Sequence, residues 1–410
     1  MQEQIQATDR IYADNAATSF PKPPEVLNAM VDYARRIGAS AGRGGYAEAR
    51  ESADVIALCR HRLNTLFHGE SPNHFIFTLN CTDALNMAIG GWLKPGDHAV
   101  CTAMDHNSIL RPLNELARRG IITQTRVAAD PATGLVDPRD IAAEIGPKTR
   151  LVAVGQGSNV TGTVQPIAEI GRLTRKTAAA FLVDAAQTAG HLPLDVQRDN
   201  IDFLAAPGHK GLLGPLGTGF LYIRPGLQDQ LCTIRQGGTG SVSDQDIQPA
   251  FMPDKFEPGS HNAIGIAGLS AGIAWILKKG IESLAAHQKK LCGEFIESVR
   301  TVPCLTFLGP QNATDRLGVF SVRLAGHDPL ELAAQLETDF HILTRAGLHC
   351  APGAHETMGT HTPAADLPNG APGTTRFSFG PFLSVQQVRT CGEALAAIAA
   401  DAAAPTAEIR

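Results

Sequence analysis

Two runs in the middle of the chain carry residue types that can do chemistry together. In "LVDAAQTAG", Asp184 closes an apolar, strand-like segment. In "APGHKGLLGPLGTGF", Lys210 follows another short apolar segment and lies among Gly208, Gly211 and Gly214. Open α/β sheets bind ligands at the carboxyl ends of their strands, and a carboxylate there is costly unless it meets a cation. Glycines let the backbone approach a ligand closely. A lysine near such a carboxylate can form a Schiff base with a carbonyl compound, while the carboxylate keeps a ring nitrogen protonated. Taken singly, a surface lysine and a helix-capping aspartate account for the two residues equally well.

A third run, "RAGLHCAPGAHETMGTH", sets Cys350 among His349, His355 and His361. Its neighbourhood alone leaves Cys350 as a nucleophile, a metal ligand or an inert thiol. The spacing matches no standard zinc pattern. H-E-x-x-H puts two histidines on one helical face, whereas His355 and His361 are further apart with Gly359 between them. The other cysteines form no C-x-x-C pair, and most read as buried small hydrophobes. Gly268 to Gly272 spells G-x-S-x-G around Ser270. A nucleophile elbow needs a strand before the serine and a sharp turn at it; here the pattern is continuously helical, and small residues there suit helix packing. No G-x-G-x-x-G follows a strand, and no Walker A motif is present.

The elements that must position these residues alternate. "HFIFTL", "HAVCTA", "LVAVG", "AFLVDA", "DFLAA" and "GFLYI" read as short buried strands. "CTDALNMAIGGWL" reads as a helix, and so does "PIAEIGRLTRKTAA" with Pro166 at its start. The alternation predicts an α/β fold with a largely parallel sheet. "AIGIAGLSAGIAWILKKG" is one long apolar helix, capped by Asn262 and ended near Gly280. Beyond it the pattern is α+β, with "GVFSVRL" a strand and "DPLELAAQLE" a helix. The Ala-rich tail reads as a helix that stops before Pro405. A domain boundary is expected near residue 265. Residues 15–265 then form a large ligand-binding domain; 1–14 and 266–410 form a small α+β domain.

The chain has 410 residues, long enough for two domains and a large core. Hydrophobic residues make up 43% and charged residues 18%, a globular rather than a disordered composition. A net charge of -5 gives no reason to expect a nucleic-acid partner. The first residues show no basic, apolar leader pattern, and no apolar run approaches a membrane span. A cytoplasmic protein is expected.

From Asp14 to Arg376 the chain resembles the class V aminotransferase family of pyridoxal-phosphate enzymes, in particular its cysteine desulfurase and selenocysteine lyase branch. The motifs stand in the family's order. "YADNAATSFPKP" resembles the segment lining the substrate site, around Asn15, Ala16 and Ala17. "NCTDALN" resembles the phosphate turn, where Thr82 and Asp83 open a helix whose N-terminus suits an anion. His106 in "MDHNS" resembles the histidine stacked on the pyridoxal ring. Asn159 in "GSNVTGT" matches a residue near the cofactor oxygen and the substrate carboxylate. Asp184 matches the pyridinium partner, Gln187 the donor to the phenolic oxygen, and His209 and Lys210 the phosphate ligand and the Schiff-base lysine. Ser260 in "FEPGSHN" matches a hydroxyl residue reaching the neighbouring subunit's phosphate, which implies a homodimer. Arg376 in "GTTRFSFGPF" matches the arginine that grips the substrate carboxylate, a task suited to its planar fork.

"RAGLHCAP" resembles the cysteine loop of the subgroup with a short, ordered loop, which makes Cys350 the nucleophile. Two departures occur: Pro207 replaces a hydroxyl residue common before Gly-His-Lys, and "GPFLS" follows Arg376 where relatives often have Tyr-Asn-Thr. The resemblance implies a fold-type I pyridoxal 5'-phosphate enzyme with a mostly parallel seven-stranded sheet. The implied activity converts L-cysteine to alanine, leaving a persulfide on Cys350. A sulfur-acceptor or scaffold protein then takes the sulfur, as in iron–sulfur cluster assembly. L-Selenocysteine is the rival substrate. An aminotransferase, epimerase or kynureninase-like enzyme of the family would not need Cys350. The "THTPAADLPNGAPG" segment reads as a surface loop.

Overall fold

The structure is a computed structural model that describes residues 10–41 and 44–403. Residues 1–9 of the expected small domain, and Pro405 at the expected end of the tail helix, lie outside the described residues. The chain enters through β1 (Ile11–Tyr12), α1 (Pro24–Asp32) and α2 (Ala47–Phe67). Strands and helices then alternate: β2 (Phe75–Thr78), α3 (Cys81–Trp92), β3 (His98–Thr102), α4 (Asn107–Arg118), β4 (Thr123–Val127), α5 (Pro138–Ala143), β5 (Thr149–Gly155), α6 (Ile167–Thr174), β6 (Ala180–Asp184), β7 (Phe203–Pro207) and β8 (Gly219–Ile223). Helices α7 (Ala263–Lys279) and α8 (Ile281–Val299) lead into β9 (Leu305–Phe307), β10 (Val319–Leu324), α9 (Pro329–Phe340), β11 (Ile342–Leu343), β12 (Arg345–Gly347), α10 (Pro352–Thr357), β13 (Thr374–Ser378) and α11 (Val385–Ala403).

Strands β2 to β8 form one seven-stranded sheet in the order β2-β8-β7-β6-β5-β3-β4. Only β8 runs against its neighbours, β7 and β2; the other pairs are parallel. Every residue of β6, β7 and β8 is buried, as continuous apolar strands are when helices cover both faces. Alternate residues feed different cores. Val152, Val154, Phe181, Val183, Leu204 and Ala206 pack on one side, while Leu151, Ala153, Ala180, Leu182, Phe203 and Ala205 pack on the other, the period-two pattern of a pleated sheet.

Helix α7 backs the first core. Asn262 Oδ1 accepts from the Gly265 amide at 3.1 Å and caps it. Ser270 lies in its middle, buried, with its hydroxyl at 2.7 Å from Arg62 Nη1. The G-x-S-x-G match is therefore a packing stripe: a Cβ on Gly272 would lie 2.5 Å from the Leu212 carbonyl oxygen. That close approach seats α7 directly behind the loop that follows Lys210. Residue 265, the expected boundary, falls in the first turn of α7, whose Ile266, Leu269, Ile273 and Ile276 belong to the first core. The chain bends by 83° at Gly280 into α8; Ile281 and Leu284 still pack against the first core, and α8 changes core from Leu291 on.

Further along α8 a third core gathers Phe295 with Phe320, Phe377 and Phe379. It underlies an antiparallel sheet of order β12-β13-β10-β9. The N-terminal strand β1 pairs parallel with β11, Ile11 opposite Ile342, and so joins this smaller unit. Helix α6 stops at Thr174, short of the expected stretch. The Thr174 hydroxyl bonds back to Ile170 O at 2.9 Å and the Thr177 hydroxyl to Thr174 O at 2.7 Å, which satisfies end carbonyls and closes the turn. Cys59, Cys81, Cys101, Cys292 and Cys391 are buried; Cys232, Cys304 and Cys350 are exposed. Among the described residues no single helix is long and apolar enough to cross a membrane.

Candidate active site

The carboxyl ends of β3, β5, β6 and β7 and the N-terminus of α3 surround a cavity of about 600 Å³. Its walls include Thr82, His106, Asn159, Asp184, Gln187, Pro207, His209 and Lys210. Segments spread from residue 82 to residue 210 thus meet at one sheet edge. Gly211 is needed for this closure: a Cβ there would lie 2.3 Å from the Ala189 carbonyl oxygen. The lysine loop therefore presses against the turn that carries Asp184 and Gln187.

Asp184 is 6% exposed. Its Oδ1 accepts from the Ala186 amide at 2.8 Å and from the Cys81 thiol at 3.4 Å. Burial and the neighbouring Asp184 charge push Cys81 well above its ordinary range, so it stays a thiol and can donate. Both Oδ1 donors come from the protein, and Oδ2 is left to the cavity. Lys210 is half-buried and lines this cavity. Burial lowers its pKa, against the pull of the Asp184 charge. No ion pair joins Lys210 to Asp184 among the described residues; the two oppose each other across cavity space.

At the N-terminus of α3, Asn80 Oδ1 accepts from the Asp83 amide at 2.9 Å, and Asp83 Oδ2 accepts from the Leu79 amide at 3.0 Å. This reciprocal cap takes Asp83 off the cavity wall and leaves the Cys81 and Thr82 amides without protein acceptors. Thr82 Oγ1 lies 2.8 Å from Ser108 Oγ. The Ser108 amide donates to His106 Nδ1 at 3.1 Å, so Nδ1 is an acceptor and, in the neutral ring, Nε2 carries the proton. Burial holds the His106 pKa down, which favours that neutral form. Asp105, beside it, ties β3 to β5 by accepting from the Thr102 and Gly155 amides, each at 2.6 Å. Burial raises its carboxyl to about 7.

The remaining expected residues do not line this cavity. Asn15 spends its amide on Tyr12 O at 3.1 Å, Ser378 O at 3.2 Å and the Phe20 amide at 3.3 Å. It shapes the turn that presents Ala16 and Ala17, and Gln187 Nε2 donates to Ala16 O at 3.2 Å. Arg376 on β13 is 2% exposed; its Nη2 pairs with Asp14 Oδ1 at 2.8 Å and its Nη1 donates to Asn159 O at 3.2 Å. Its Nε has no partner and is buried. Ser260 lines a separate recess with Arg235, His261 and Asn262. Cys350 is exposed on a groove that also touches Thr82, His106, Ser108 and Arg111. His106 lines both spaces and stands between the cavity and the thiol.

Cys81, Ser108 and Asp105 are functional neighbours that the sequence reading passed over. Ser108 sits two residues from His106 in "MDHNS", and Cys81 directly before Thr82; adjacency to a recognised residue was the available signal. No group of three or more His, Cys, Asp or Glu able to hold a metal ion occurs among the described residues. His349, Cys350, His355 and His361 thus do not form a metal cluster.

The walls fit the pyridoxal phosphate that the resemblance implies. His209 Nδ1 is buried without a partner, beside the lysine. Two free amides at a helix N-terminus suit a phosphate, and the unused Asp184 Oδ2 suits a protonated ring nitrogen. Lys210 Nζ, with no carboxylate bound to it, is free for an aldehyde carbon. Pro207 lines the cavity and contributes no donor.

The same region sets an acid limit on stability. His355 is fully buried and burial pushes it down to about 4; His349 is held well below its ordinary value. Their folded pKa values lie below the unfolded value near 6.5, so the unfolded chain binds more protons between those limits. Stability is therefore intact above pH 6.5 and falls toward pH 4, by about 1.4 kcal/mol per pH unit for each such histidine. Urea midpoints of the cofactor-free protein should drop between pH 7 and pH 5, and His355→Gln should flatten that drop. Equal slopes in both proteins would remove His355 as a cause.

Comparison with known proteins gives consistent results. The family described as Aminotransferase class-V matches residues 11–390. A protein named "Probable cysteine desulfurase" from Methanothermobacter thermautotrophicus is 34% identical over 395 residues, 95% of each chain. A "Cysteine desulfurase" from Escherichia coli is 31% identical over 348 residues, covering 83% of this chain and 84% of its own. The apo structure of a cysteine desulfurase from Thermococcus onnurineus NA1 superposes with a TM-score of 0.88 at 30% identity, covering 96% of this chain and 95% of the other.

Proposed function

We propose, for a chain that belongs to the class-V aminotransferase family, that it is a pyridoxal-phosphate-dependent cysteine desulfurase, converting L-cysteine to L-alanine with Cys350 as the sulfur acceptor. One observation carries the reading: the Lys210–Asp184 cavity and the exposed Cys350 thiol share His106 as a common wall.

Bound in the cavity, pyridoxal phosphate supplies an aldehyde for the substrate amine and a ring that accepts the electrons left when the Cα proton departs. Asp184 Oδ2 would hold the proton on the ring nitrogen. The amides of Cys81 and Thr82, with His209 Nδ1, would take the phosphate oxygens. Gln187 and Asn159, both on the cavity wall, would serve the cofactor and substrate oxygens. Arg376 serves the substrate carboxylate through the edge that carries its unpartnered Nε, while Asp14 on Nη2 and Asn159 O on Nη1 hold the guanidinium in place. Lys210 Nζ, whose neutral form burial favours, removes the Cα proton. The Cys350 thiolate then attacks the substrate sulfur. The new S–S bond forms as the Cβ–S bond breaks; the electron pair stays with carbon, Cβ takes up a proton to become the methyl group, and Lys210 returns the proton to Cα, which gives alanine. His106 Nε2, on the wall shared by the cavity and the Cys350 groove, is the donor assigned to the Cβ proton.

Ser260 opens on a recess apart from the Lys210 cavity, and Leu79, Leu216 and Ile264 near it are exposed at 58%, 68% and 41%. This supports a homodimer in which Ser260 serves the partner's phosphate. A cytoplasmic location and delivery of sulfur to an acceptor for iron–sulfur cluster assembly complete the proposal. Product analysis tests it: purified protein given L-cysteine and a thiol reductant should yield alanine and sulfide in equal amounts, and should sediment as a dimer. Pyruvate in place of alanine, or turnover of L-selenocysteine alone, would replace the desulfurase reading. A fully active monomer would remove Ser260 from the site.

A further inference from the structure

The turn that carries Cys350 is strained. His349 and Cys350 are consecutive non-glycine residues in the left-handed region, with φ of 51° and 59°. Such residues persist only where their surroundings over-determine them. Three bonds close on this turn. The Ala351 amide donates to Leu348 O at 3.0 Å within it, and the Asn107 amide donates to Cys350 O at 2.9 Å from the start of α4. Asn159 Nδ2 donates to His349 O at 2.6 Å. The two side chains then go opposite ways: His349 is 4% exposed, while Cys350 is exposed.

The buried imidazole leads back to the substrate. His349 Nε2 lies 3.3 Å from Thr374 Oγ1. Thr374 is two residues before Arg376 on β13, so both side chains leave the same face of the strand. Arg376 Nη1 donates to Asn159 O, and Asn159 Nδ2 donates to His349 O. The contacts close a circuit: His349, Thr374, Arg376, Asn159 and back to His349. The nucleophile's turn is thereby registered against the arginine that grips the substrate carboxylate.

We infer that His349 is a positioning residue: its buried ring, bonded to Thr374, anchors the strained turn and sets the Cys350 thiol at the distance from Arg376 that the sulfur of a cysteine-sized substrate requires. This rests on the reading of Cys350 as the nucleophile. Burial keeps the ring neutral, so one nitrogen serves Thr374 and the other, Nδ1, is left buried without a partner. A ring that only filled space would not need the bond to Thr374, and that difference can be measured.

The experiment uses the cofactor-loaded wild type, His349→Phe, His349→Gln and Thr374→Val. L-Cysteine affinity is read from the spectral change on binding, and the single-turnover rate of sulfur appearing on Cys350 is read by mass spectrometry. His349→Phe should slow sulfur transfer roughly 10- to 100-fold, as a misplaced reacting group does, with affinity changed by less than about threefold. Gln can reach Thr374 from the same position and should restore most of the rate. Thr374→Val, which leaves the ring in place, should give the same split if His349→Phe does not fold. In cofactor-free protein, iodoacetamide should alkylate Cys350 faster in His349→Phe, because the turn is released. Sulfur transfer at the wild-type rate in both His349→Phe and Thr374→Val overturns the inference. So does a parallel loss of affinity and rate that Gln does not restore. Absence of sulfur on Cys350 in the wild type would sink the nucleophile reading, and this inference with it.

Discussion

Lys210→Ala should abolish turnover of L-cysteine, by on the order of 10⁴-fold or more, because one side chain carries both the covalent attachment and the base. The cavity explains why no neighbour substitutes. Burial lowers the Lys210 pKa toward the reactive amine, and no carboxylate among the described residues sits on it. Of the other titratable groups facing the cavity, Asp184 and Cys81 are engaged with each other, His106 and His209 have pKa values that burial also lowers, and none offers a primary amine. Lys22, the nearest other lysine to this turn, spends its ammonium on Ser19 Oγ at 2.9 Å and on the carbonyls of Ser19 and His209 at 3.2 and 3.3 Å. Borohydride treatment of the loaded wild type should fix the label on the peptide containing Lys210. The variant should still bind the cofactor reversibly, since the α3 amides, His209 and Asp184 remain. A label on any other peptide, or a variant retaining a tenth of the wild-type rate, would remove Lys210 from its role.

Much of this cavity was legible because its residues sit at ends of strongly patterned elements. Asp184 ends the apolar run "AFLVD", and Lys210 follows "DFLAA"; both runs are strands buried along their length. The sequence order of the strands could also be read, but not their sheet order. That β8 turns antiparallel and inserts between β7 and β2 depends on tertiary packing. The boundary near residue 265 rested on a change of composition, whereas α7 continues the first core through Ile276 and the chain bends at Gly280. Period 3.6 alone does not say which core a helix faces. Asp83 and Asn15 show a further limit. Their types suit a binding site, yet a reciprocal cap and a turn consume their side chains. Local bonds of this kind need coordinates, as does the Cys81 thiol on Asp184.

Cys350→Ser should separate this activity from the rest of the family's chemistry. Lys210 and Asp184 can labilise the Cα proton of many amino acids; only a placed thiolate can then take sulfur from cysteine and keep it. Serine preserves the size and the turn but offers an oxygen that does not attack sulfur. The variant should keep its cofactor spectrum and the spectral change on adding L-cysteine, while alanine formation falls on the order of 10³-fold or more. L-Selenocysteine should be spared in part, because its carbon–selenium bond breaks more readily. The exposed thiols Cys232 and Cys304 are the internal controls, since they are as open to solvent as Cys350 but line neither the cavity nor the groove beside His106. Mass spectrometry of the wild type after L-cysteine, before any reductant, should therefore find added sulfur on Cys350 and not on those two. Sulfur confined to Cys232 or Cys304, together with a fully active Cys350→Ser, would show that the groove thiol is a bystander. The Lys210 cavity would then serve a lyase or aminotransferase reaction.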